Sequence, residues 1–289
     1  MKPAPFEYYV PDSIEETLDL LHEHGDGAKL LAGGQSLVPA MNFRVVQPGV
    51  LIDLNQIAEL RYIREAESTL QVGAMTRERA LEFDRVISKR VPLLTEVMPH
   101  IAHPQIRNRG TLGGSLVNAD PAAELPVIML ALDARLKASN ADHERWVDAQ
   151  NFFLGMFMTD LAPDEMLVEI ELPSIPPRTG WSFMEVAPRA GDYAMMGVAA
   201  LVTLDENGKC KKARLVYLNA GDGPVDAKDT AKSLEGETLK DELIESAAAL
   251  ASEKEINPFG NLHASPDYQR HLANVLTKKV LKLAAQRAV

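Results

Sequence analysis

Two short glycine turns contain the residues whose types and spacing are best suited to ligand chemistry. The first is Ala32-Gly33-Gly34-Gln35-Ser36 and the second is Thr111-Leu112-Gly113-Gly114-Ser115. Paired glycines allow positive φ and expose main-chain N–H groups that a Cβ atom would shield. Successive N–H groups at the start of a helix bind phosphate well. Two such turns predict two contacts with one diphosphate, although either turn alone is also consistent with an ordinary tight turn.

Hydrophobic patterns place the first turn between a strand and a helix. The run from Lys29 to Ala32 predicts a short buried strand, Ser36 to Arg44 a helix, and Val50 to Leu54 a second strand. A helix capped by Ser13 and ending at Gly25 precedes them. The first turn should therefore begin a helix, but its glycine spacing is not that of a Rossmann fingerprint.

The remaining pattern predicts an α+β protein. A hairpin from Tyr62 to Gly73 starts a second region, in which an apolar helix from Glu124 to Leu132 follows the second turn. A linker is expected at Pro173 to Pro177, because proline lacks the backbone N–H. Beyond it, three runs predict a three-stranded antiparallel sheet, and the tail predicts helices; these runs are Trp181 to Val186, Met195 to Leu204 and Ala213 to Leu218.

Composition excludes several classes of protein. A net charge of −11 over 289 residues argues against nucleic-acid binding, since there is no basic stripe to neutralise phosphates. No stretch reaches the roughly 20 apolar residues that span a bilayer, and the N-terminus lacks a long apolar segment. We therefore expect a cytoplasmic protein without a membrane span.

The chain's single cysteine, Cys210, limits its redox chemistry. One cysteine cannot form an internal disulfide or supply the thiolates of an iron–sulfur cluster. His100 and His103 are spaced like a helical metal pair, but no third ligand follows at a useful spacing, so we expect no metal site. Any cluster must belong to a partner chain.

Four motifs in a fixed order carry a family resemblance. Besides the two turns, with Ile106 to Gly110 before the second, they include Asn118-Ala119-Asp120-Pro121-Ala122-Ala123-Glu124 and Arg189-Ala190-Gly191-Asp192-Tyr193-Ala194. Along its full length the chain resembles the FAD-binding medium subunit of the molybdenum hydroxylases, the group that includes carbon monoxide dehydrogenase and xanthine dehydrogenase.

The resemblance implies a two-lobed FAD-binding domain of the p-cresol methylhydroxylase (PCMH) type over residues 1–176, with lobes at about 1–56 and 57–176. A C-terminal α+β domain would occupy residues 177–289. It also implies a large molybdopterin subunit and a small subunit with two [2Fe–2S] clusters, assembled as a dimer of heterotrimers. This chain would take electrons from the clusters and pass them from FAD to an external acceptor.

The resemblance also assigns site residues, none of them catalytic. The two turns would bind the FAD diphosphate, with positive charge from a nearby lysine; Asp120 and Glu124 would accept hydrogen bonds from ribityl or ribose hydroxyls or from the pyrimidine edge. Ile101 and Tyr193 would pack on the isoalloxazine faces and Leu161 and Leu167 at its edge. The expected set is Lys29, Ala32, Gly33, Gly34, Gln35, Ser36, Ile101, Thr111, Gly113, Gly114, Ser115, Asp120, Glu124, Leu161, Leu167 and Tyr193.

Two positions depart from the family pattern and leave questions open. Gln35 stands where the carbon monoxide dehydrogenase branch has His, and Glu185 where many members have Lys. An inward-pointing Glu185 would weaken stabilisation of a reduced, anionic flavin.

A self-sufficient FAD oxidase or reductase of the same fold and a cofactor-free scaffold remain alternatives. The substrate (CO, a purine, an N-heterocycle or an aldehyde) and the electron acceptor stay open.

Overall fold

The structure is a computed structural model that describes residues 1–288. Its helices are α1 (Ile14–His24), α2 (Leu37–Asn42), α3 (Glu78–Phe83), α4 (Arg85–Arg90), α5 (Pro92–Val97), α6 (Pro104–Arg107), α7 (Leu112–Asn118), α8 (Glu124–Ala131), α9 (Ala149–Phe152), α10 (Lys228–Leu234), α11 (Asp241–Leu250) and α12 (Pro266–Arg287). Its strands are β1 (Glu7–Tyr9), β2 (Ala28–Leu31), β3 (Val50–Asp53), β4 (Ile63–Glu65), β5 (Thr69–Gly73), β6 (Arg135–Ser139), β7 (Glu144–Asp148), β8 (Phe153–Gly155), β9 (Met158–Thr159), β10 (Met166–Pro173), β11 (Thr179–Val186), β12 (Met196–Leu204), β13 (Cys210–Leu218) and β14 (Val225–Asp226).

The N-terminal lobe is a small parallel sheet covered by α1. Ser13 Oγ accepts the Glu16 N–H at 3.2 Å and so caps the helix, whose Leu18 and Leu21 are buried. The strand order is β1-β3-β2 with all pairs parallel. The strand β2 leads into the first glycine turn, and α2 follows the turn as predicted, although it ends at Asn42.

A five-stranded antiparallel sheet forms the second lobe, in the order β4-β5-β10-β6-β7. Its apolar face lies in the same core as the buried residues of α5, α7 and α8. All eight residues of α8 are buried, because this helix packs between its own lobe and the C-terminal sheet. The second glycine turn is held at the start of α7, between the sheet and α8.

The C-terminal domain is a four-stranded antiparallel sheet, β11-β12-β13-β14. Its three long strands are those that the sequence predicts. The fourth, β14, has only two residues, too few to produce an alternating pattern. One face of the sheet, which includes Ala199 and Val216, belongs to the core of the second lobe, and the other, which includes Val198 and Leu215, packs on α12.

The Glu96 carboxylate links α5 to β11 and to α12 of the C-terminal domain. Glu96 Oε1 accepts the Phe183 N–H at 2.9 Å, and Glu96 Oε2 pairs with Arg287 Nη1 at 2.6 Å. Charge-assisted hydrogen bonds of this kind are stronger than neutral ones. The orientation of β11 against the second lobe is therefore fixed by contacts as well as by the linker.

A substitution at Gly180 of β11 can test how closely α12 packs on the sheet. A Cβ atom at Gly180 would overlap the Ala284 carbonyl oxygen and lie 2.6 Å from the Ala288 nitrogen. Since both obstacles are backbone atoms, we expect Gly180→Ala to lower the free energy of unfolding by about 1–3 kcal/mol. Gly223→Ala has nothing within 4 Å of its new Cβ and should change it by less than about 0.5 kcal/mol. Urea unfolding followed by circular dichroism compares the two, and equal stabilities would contradict the close packing.

Candidate functional site

The two glycine turns face each other across the junction of the two lobes. A Cβ atom on Gly33 would overlap the Arg109 carbonyl oxygen and lie 2.8 Å from the Gly110 Cα. A Cβ atom on Gly114 would lie 3.4 Å from the Ala32 Cβ. The lobes therefore meet backbone to backbone at Gly33, and only glycine fits there.

Arg77 and Asn55 hold the two turns together. The Arg77 guanidinium donates to the Arg109 carbonyl oxygen and, at 2.5 Å, to Asn55 Oδ1. Asn55 Nδ2 in turn donates to the Ala32 carbonyl oxygen at 2.9 Å. A continuous chain of hydrogen bonds thus runs from the first turn to the loop before the second, and it fixes their separation.

The first turn leaves its backbone donors open, in the pattern of an anion-binding nest. Gly34 has φ of 74°, in the left-handed region that favours glycine. Within the described part of the chain, the N–H groups of residues 33–36 have no protein acceptor. Gln35 Nε2 donates to the Gly33 carbonyl oxygen at 2.9 Å and so braces the turn from within. Four consecutive N–H groups therefore lack a protein partner, as binding of an anion would require.

The second turn differs, because its N–H groups already have partners. The Gly113 N–H donates to the Ala74 carbonyl oxygen at 2.8 Å, and that of Ser115 to the Thr111 carbonyl oxygen at 3.1 Å. The Gly114 N–H donates to Thr111 Oγ1 at 3.1 Å, which makes Thr111 the N-cap of α7. A Cβ atom on Gly113 would lie 2.7 Å from the Ala74 Cβ. Its glycines permit close packing, so the two turns are not equivalent.

A cleft of about 390 Å³ opens beside the first turn. It is lined by Leu31, Gly33, Gly34, Gln35, Val38, Pro39 and Arg109. Arg109 is the cation of this lining, and within residues 1–288 its guanidinium makes no salt bridge. Lys29 instead lies exposed on β2, outside the lining. The free guanidinium beside four free N–H groups suits a diphosphate.

Asp120 lies in the loop between α7 and α8, and Glu124 begins α8. Asp120 Oδ1 accepts the Ala122 N–H at 2.9 Å, and burial raises the pKa of this carboxyl group. Glu124, the first residue of α8, is 8% exposed. Burial, and after it the charge of Glu185, raises the pKa of Glu124 to about 8. Both carboxyl groups are therefore held where water is scarce, which suits polar contacts to a ligand.

The predicted apolar residues fall into two environments. Ile101 and Leu167 are buried in the core of the second lobe, and Leu161 packs against it. Tyr193 is 71% exposed on the loop after β11. Its phenolic group is nevertheless partly desolvated, and this, together with the nearby Asp120 and Glu124 carboxyl groups, raises its pKa. Tyr193 is thus an exposed aromatic beside the acidic pair.

The Tyr193 loop packs against the segment that contains Ile101. Gly191, with φ of 83°, would place a Cβ atom 2.6 Å from the Ala102 carbonyl oxygen and 2.7 Å from His103 Nδ1. One residue before Ile101, His100 Nδ1 lies 3.2 Å from Glu185 Oε1. The structure therefore brings together the two segments that the resemblance assigns to the opposite faces of one ring.

Several residues of the site have little signal in the sequence. Arg77 and Asn55 act through long-range contacts, which no local pattern shows. Glu78 lies against Gly110, whose carbonyl oxygen accepts the Glu78 N–H at 3.0 Å, and burial raises the pKa of the Glu78 carboxyl group to about 7. Arg109 was visible as a cation immediately before the second motif.

Two kinds of feature are absent from residues 1–288. Among residues 1–288, no three His, Cys, Asp or Glu side chains are grouped so that they could hold a metal ion. In the same residues, no helix has the length and the apolar composition needed to cross a membrane.

Two family models match the chain. The model described as "FAD binding domain in molybdopterin dehydrogenase" matches residues 4–175, and "CO dehydrogenase flavoprotein C-terminal domain" matches residues 181–284. The unpaired N–H groups of the first turn and the Arg109 guanidinium lie beside one cleft and fit the diphosphate of a dinucleotide such as FAD.

Similar proteins are known from sequence and from crystals. The chain is 42% identical over 288 residues to the 6-hydroxypseudooxynicotine dehydrogenase complex subunit alpha of Paenarthrobacter nicotinovorans, covering 100% of this chain and 97% of the relative. It is 37% identical over 287 residues to the carbon monoxide dehydrogenase medium chain of Hydrogenophaga pseudoflava, covering 99% of each.

A solved structure of carbon monoxide dehydrogenase from Hydrogenophaga pseudoflava, which lacks the Mo-pyranopterin moiety of its molybdenum cofactor, matches with a TM-score of 0.97 at 37% identity over 100% of both chains. The predicted resemblance and the predicted fold class are thereby confirmed. The chain belongs to the family of FAD-binding medium subunits of molybdenum hydroxylases and is part of an oxidoreductase.

Proposed function

We propose that this chain is the electron-transfer subunit of its complex. It holds FAD, takes electrons from the [2Fe–2S] clusters of a small partner subunit and passes them to an external acceptor, while a large molybdopterin subunit oxidises the substrate. Bound FAD supplies the ability to take up and release electrons, and the protein supplies orientation and electrostatics. The observation that carries the proposal is the open nest at residues 33–36 beside the unpaired Arg109.

Each part of FAD has candidate contacts in this chain. The N–H groups of residues 33–36 and the Arg109 guanidinium would bind the diphosphate. The resemblance would also bring the hydroxyls of Ser36, Thr111 and Ser115 close to it. Asp120 and Glu124 would make polar contacts to ribityl or ribose hydroxyls or to the pyrimidine edge. Ile101 and Tyr193 would lie on the two faces of the isoalloxazine ring, and Leu161 and Leu167 at its edge.

An exposed apolar hairpin beside α7 supports a partner subunit. The hairpin β8–β9 exposes four large apolar side chains at 47–59% of their area; they are Leu154, Met156, Phe157 and Met158. The Phe157 N–H donates to the Ala119 carbonyl oxygen at 3.0 Å, which places the hairpin at the end of α7. Contiguous exposed apolar patches mark interaction sites. A subunit interface at this hairpin would lie close to the proposed FAD site. For the assembly as a whole we propose a dimer of heterotrimers.

The rival function is a self-sufficient FAD oxidase or reductase, and one experiment separates the two. The chain is prepared alone and together with its large and small partner subunits, each loaded with FAD. We expect substrate to bleach the flavin absorbance only in the complex, because this chain contains one buried cysteine and cannot build the clusters. Turnover by the isolated chain would refute the proposal.

The substrates for this experiment are chosen broadly. One relative is named for 6-hydroxypseudooxynicotine and another, 41% identical over 226 residues, is named caffeine dehydrogenase subunit beta. N-heterocycles related to nicotine and purines therefore come first, followed by CO and aldehydes. The identity of the substrate depends on the large subunit, so it does not affect what is expected of the isolated chain.

Gly33→Ala tests the contact between the lobes. Its Cβ atom would press on the backbone of Arg109 and Gly110, so we expect FAD affinity to fall at least about tenfold as the two turns separate. Gly27→Ala, which has nothing within 4 Å of the new Cβ, is the matched control and should bind FAD normally. Quenching of FAD fluorescence measures both affinities. Unchanged binding by Gly33→Ala would contradict the proposed geometry.

Arg109→Gln and Lys29→Gln compare the two candidate cations. Since Arg109 lines the cleft and Lys29 does not, Arg109→Gln should weaken FAD binding about tenfold, the loss of one charge-assisted hydrogen bond. Lys29→Gln should leave the affinity within about twofold, because exposed charges distant from a ligand are screened. Fluorescence titration at one salt concentration measures both, and a larger loss from Lys29→Gln would favour the residue expected from sequence.

A further inference from the structure

The loop that carries Tyr193 leaves β11 at Val186 and returns to the sheet at Met195, whose N–H donates to the Val186 carbonyl oxygen at 2.7 Å. Tyr193 itself is 71% exposed and so receives little support from the core. The next residue, Ala194, is buried in the core that the second lobe shares with the C-terminal sheet. The position of the tyrosine ring therefore depends on what holds the backbone of Ala194 and Met195.

Asn219, the residue after β13, holds that backbone. Its Nδ2 donates to the Ala194 carbonyl oxygen at 2.8 Å and to the Met195 carbonyl oxygen at 3.3 Å. Asn219 has φ of 54°, in the left-handed region that asparagine adopts more readily than most residues with a side chain. Because both acceptors are carbonyl oxygens, the position requires a donor, and a carboxylate of the same size would be repelled.

Gln269 of α12 supports the same contacts from the helix side. Its side chain is buried, and its Nε2 donates to the Met195 carbonyl oxygen at 2.9 Å and to the Asn219 carbonyl oxygen at 3.2 Å. Its Oε1 accepts the Gly260 N–H at 2.9 Å. A buried amide with partners for both its oxygen and its nitrogen makes a rigid support. Asn219 is therefore itself held in place.

Asn219 also joins the loop to the second lobe. Its backbone N–H donates to the Pro121 carbonyl oxygen at 2.8 Å, one residue after Asp120. The same residue thus contacts the segment of Asp120 through its backbone and the segment of Tyr193 through its side chain. These contacts fix the separation of two site motifs that are far apart in the sequence and belong to different domains.

The other side of the loop packs on the segment of Ile101. A Cβ atom on Gly191 would lie 2.6 Å from the carbonyl oxygen of Ala102, the residue after Ile101. The loop is therefore fixed on one side by the segment of Ile101 and on the other by Asn219, although most of the surface of Tyr193 stays open. An exposed aromatic side chain on a loop fixed from both sides is arranged to receive a ligand.

We propose that Asn219 is a positioning residue for the FAD site: its side-chain amide holds the Tyr193 loop in place before the cofactor binds, without touching the cofactor. The effect on FAD rests on the proposed function, in which Tyr193 packs on a face of the isoalloxazine ring. A loop that is already ordered adds less to the entropy cost of binding than a loop that the ligand must order. Loss of the amide should therefore reduce what Tyr193 contributes to FAD binding.

Hydrogen exchange of the full chain without FAD tests whether the amide holds the loop. Asn219→Gly keeps the left-handed backbone and the N–H bond to Pro121 but removes both side-chain donations, and Asn219→Asp removes them at equal size. In both variants the amides of residues 190–195 should exchange about tenfold faster. Asn207→Gly is the matched control, because Asn207 lies exposed in the turn between β12 and β13, and it should leave that exchange unchanged.

A double-mutant cycle tests whether Asn219 acts through Tyr193. FAD is removed from the complex of this chain with its large and small partner subunits, and rebinding is followed from the fluorescence of free FAD. Tyr193→Ala should weaken the affinity about three- to tenfold, the range of one aromatic contact. Asn219→Gly should weaken it about threefold, and never more than Tyr193→Ala does. The double variant should bind as Tyr193→Ala does, because a positioning residue has no effect once the residue it positions is gone.

Four results would overturn the inference: unchanged exchange of residues 190–195, unchanged affinity of both Asn219 variants, unchanged affinity of Tyr193→Ala, and additive losses in the double variant. Additive losses would mean that Asn219 serves the stability of the fold alone. None of the four removes FAD binding, so each leaves the proposed function intact. If the unaltered complex binds no FAD, the proposed function is wrong, and hydrogen exchange then decides by itself whether Asn219 holds the loop. Urea unfolding verifies that each variant is folded, and Asn219→Gly carries the test if Asn219→Asp does not fold.

Discussion

The site depends on one close approach, that of Gly33 to the backbone of Arg109 and Gly110. Side-chain bulk at Gly33 is incompatible with this contact, and the hydrogen bonds of Arg77 and Asn55 maintain it. The first turn takes its orientation from the parallel sheet and the facing loop from the antiparallel lobe. Neither lobe alone forms the cleft, so its shape depends on how well the two lobes pack.

Much of the fold could be predicted because its long elements obey local rules. Ser13 caps α1 by accepting a backbone N–H group, as the sequence predicts, and Ser265 caps α12 in the same way. The short strands β1 and β14 were not predicted, because two or three residues carry no usable period. Their place in a sheet comes from long-range pairing with β3 and β13.

The sequence identified the segments that meet in the candidate site, but not how their polar groups are used. Both glycine turns look alike in sequence. Among the described residues, however, the N–H groups of residues 33–36 have no acceptor, whereas those of Gly113, Gly114 and Ser115 donate to Ala74 and Thr111. Which donors are used depends on tertiary contacts that spacing does not encode. For the same reason the sequence singled out Lys29 as the nearby cation, whereas in the folded chain Arg109, and not Lys29, lines the cleft beside the first turn.

The central strands β12 and β13 supply side chains to two cores, one shared with α8 and one with α12. Because successive side chains of a strand point to opposite faces of the sheet, each of these strands contributes residues alternately to one core and to the other. Loss of either core would uncover apolar surface on the same strands, so both regions should melt in a single cooperative transition. The two regions matched by the family models should therefore not fold independently of each other. An isolated C-terminal domain would expose the apolar face of its sheet and would be prone to aggregate.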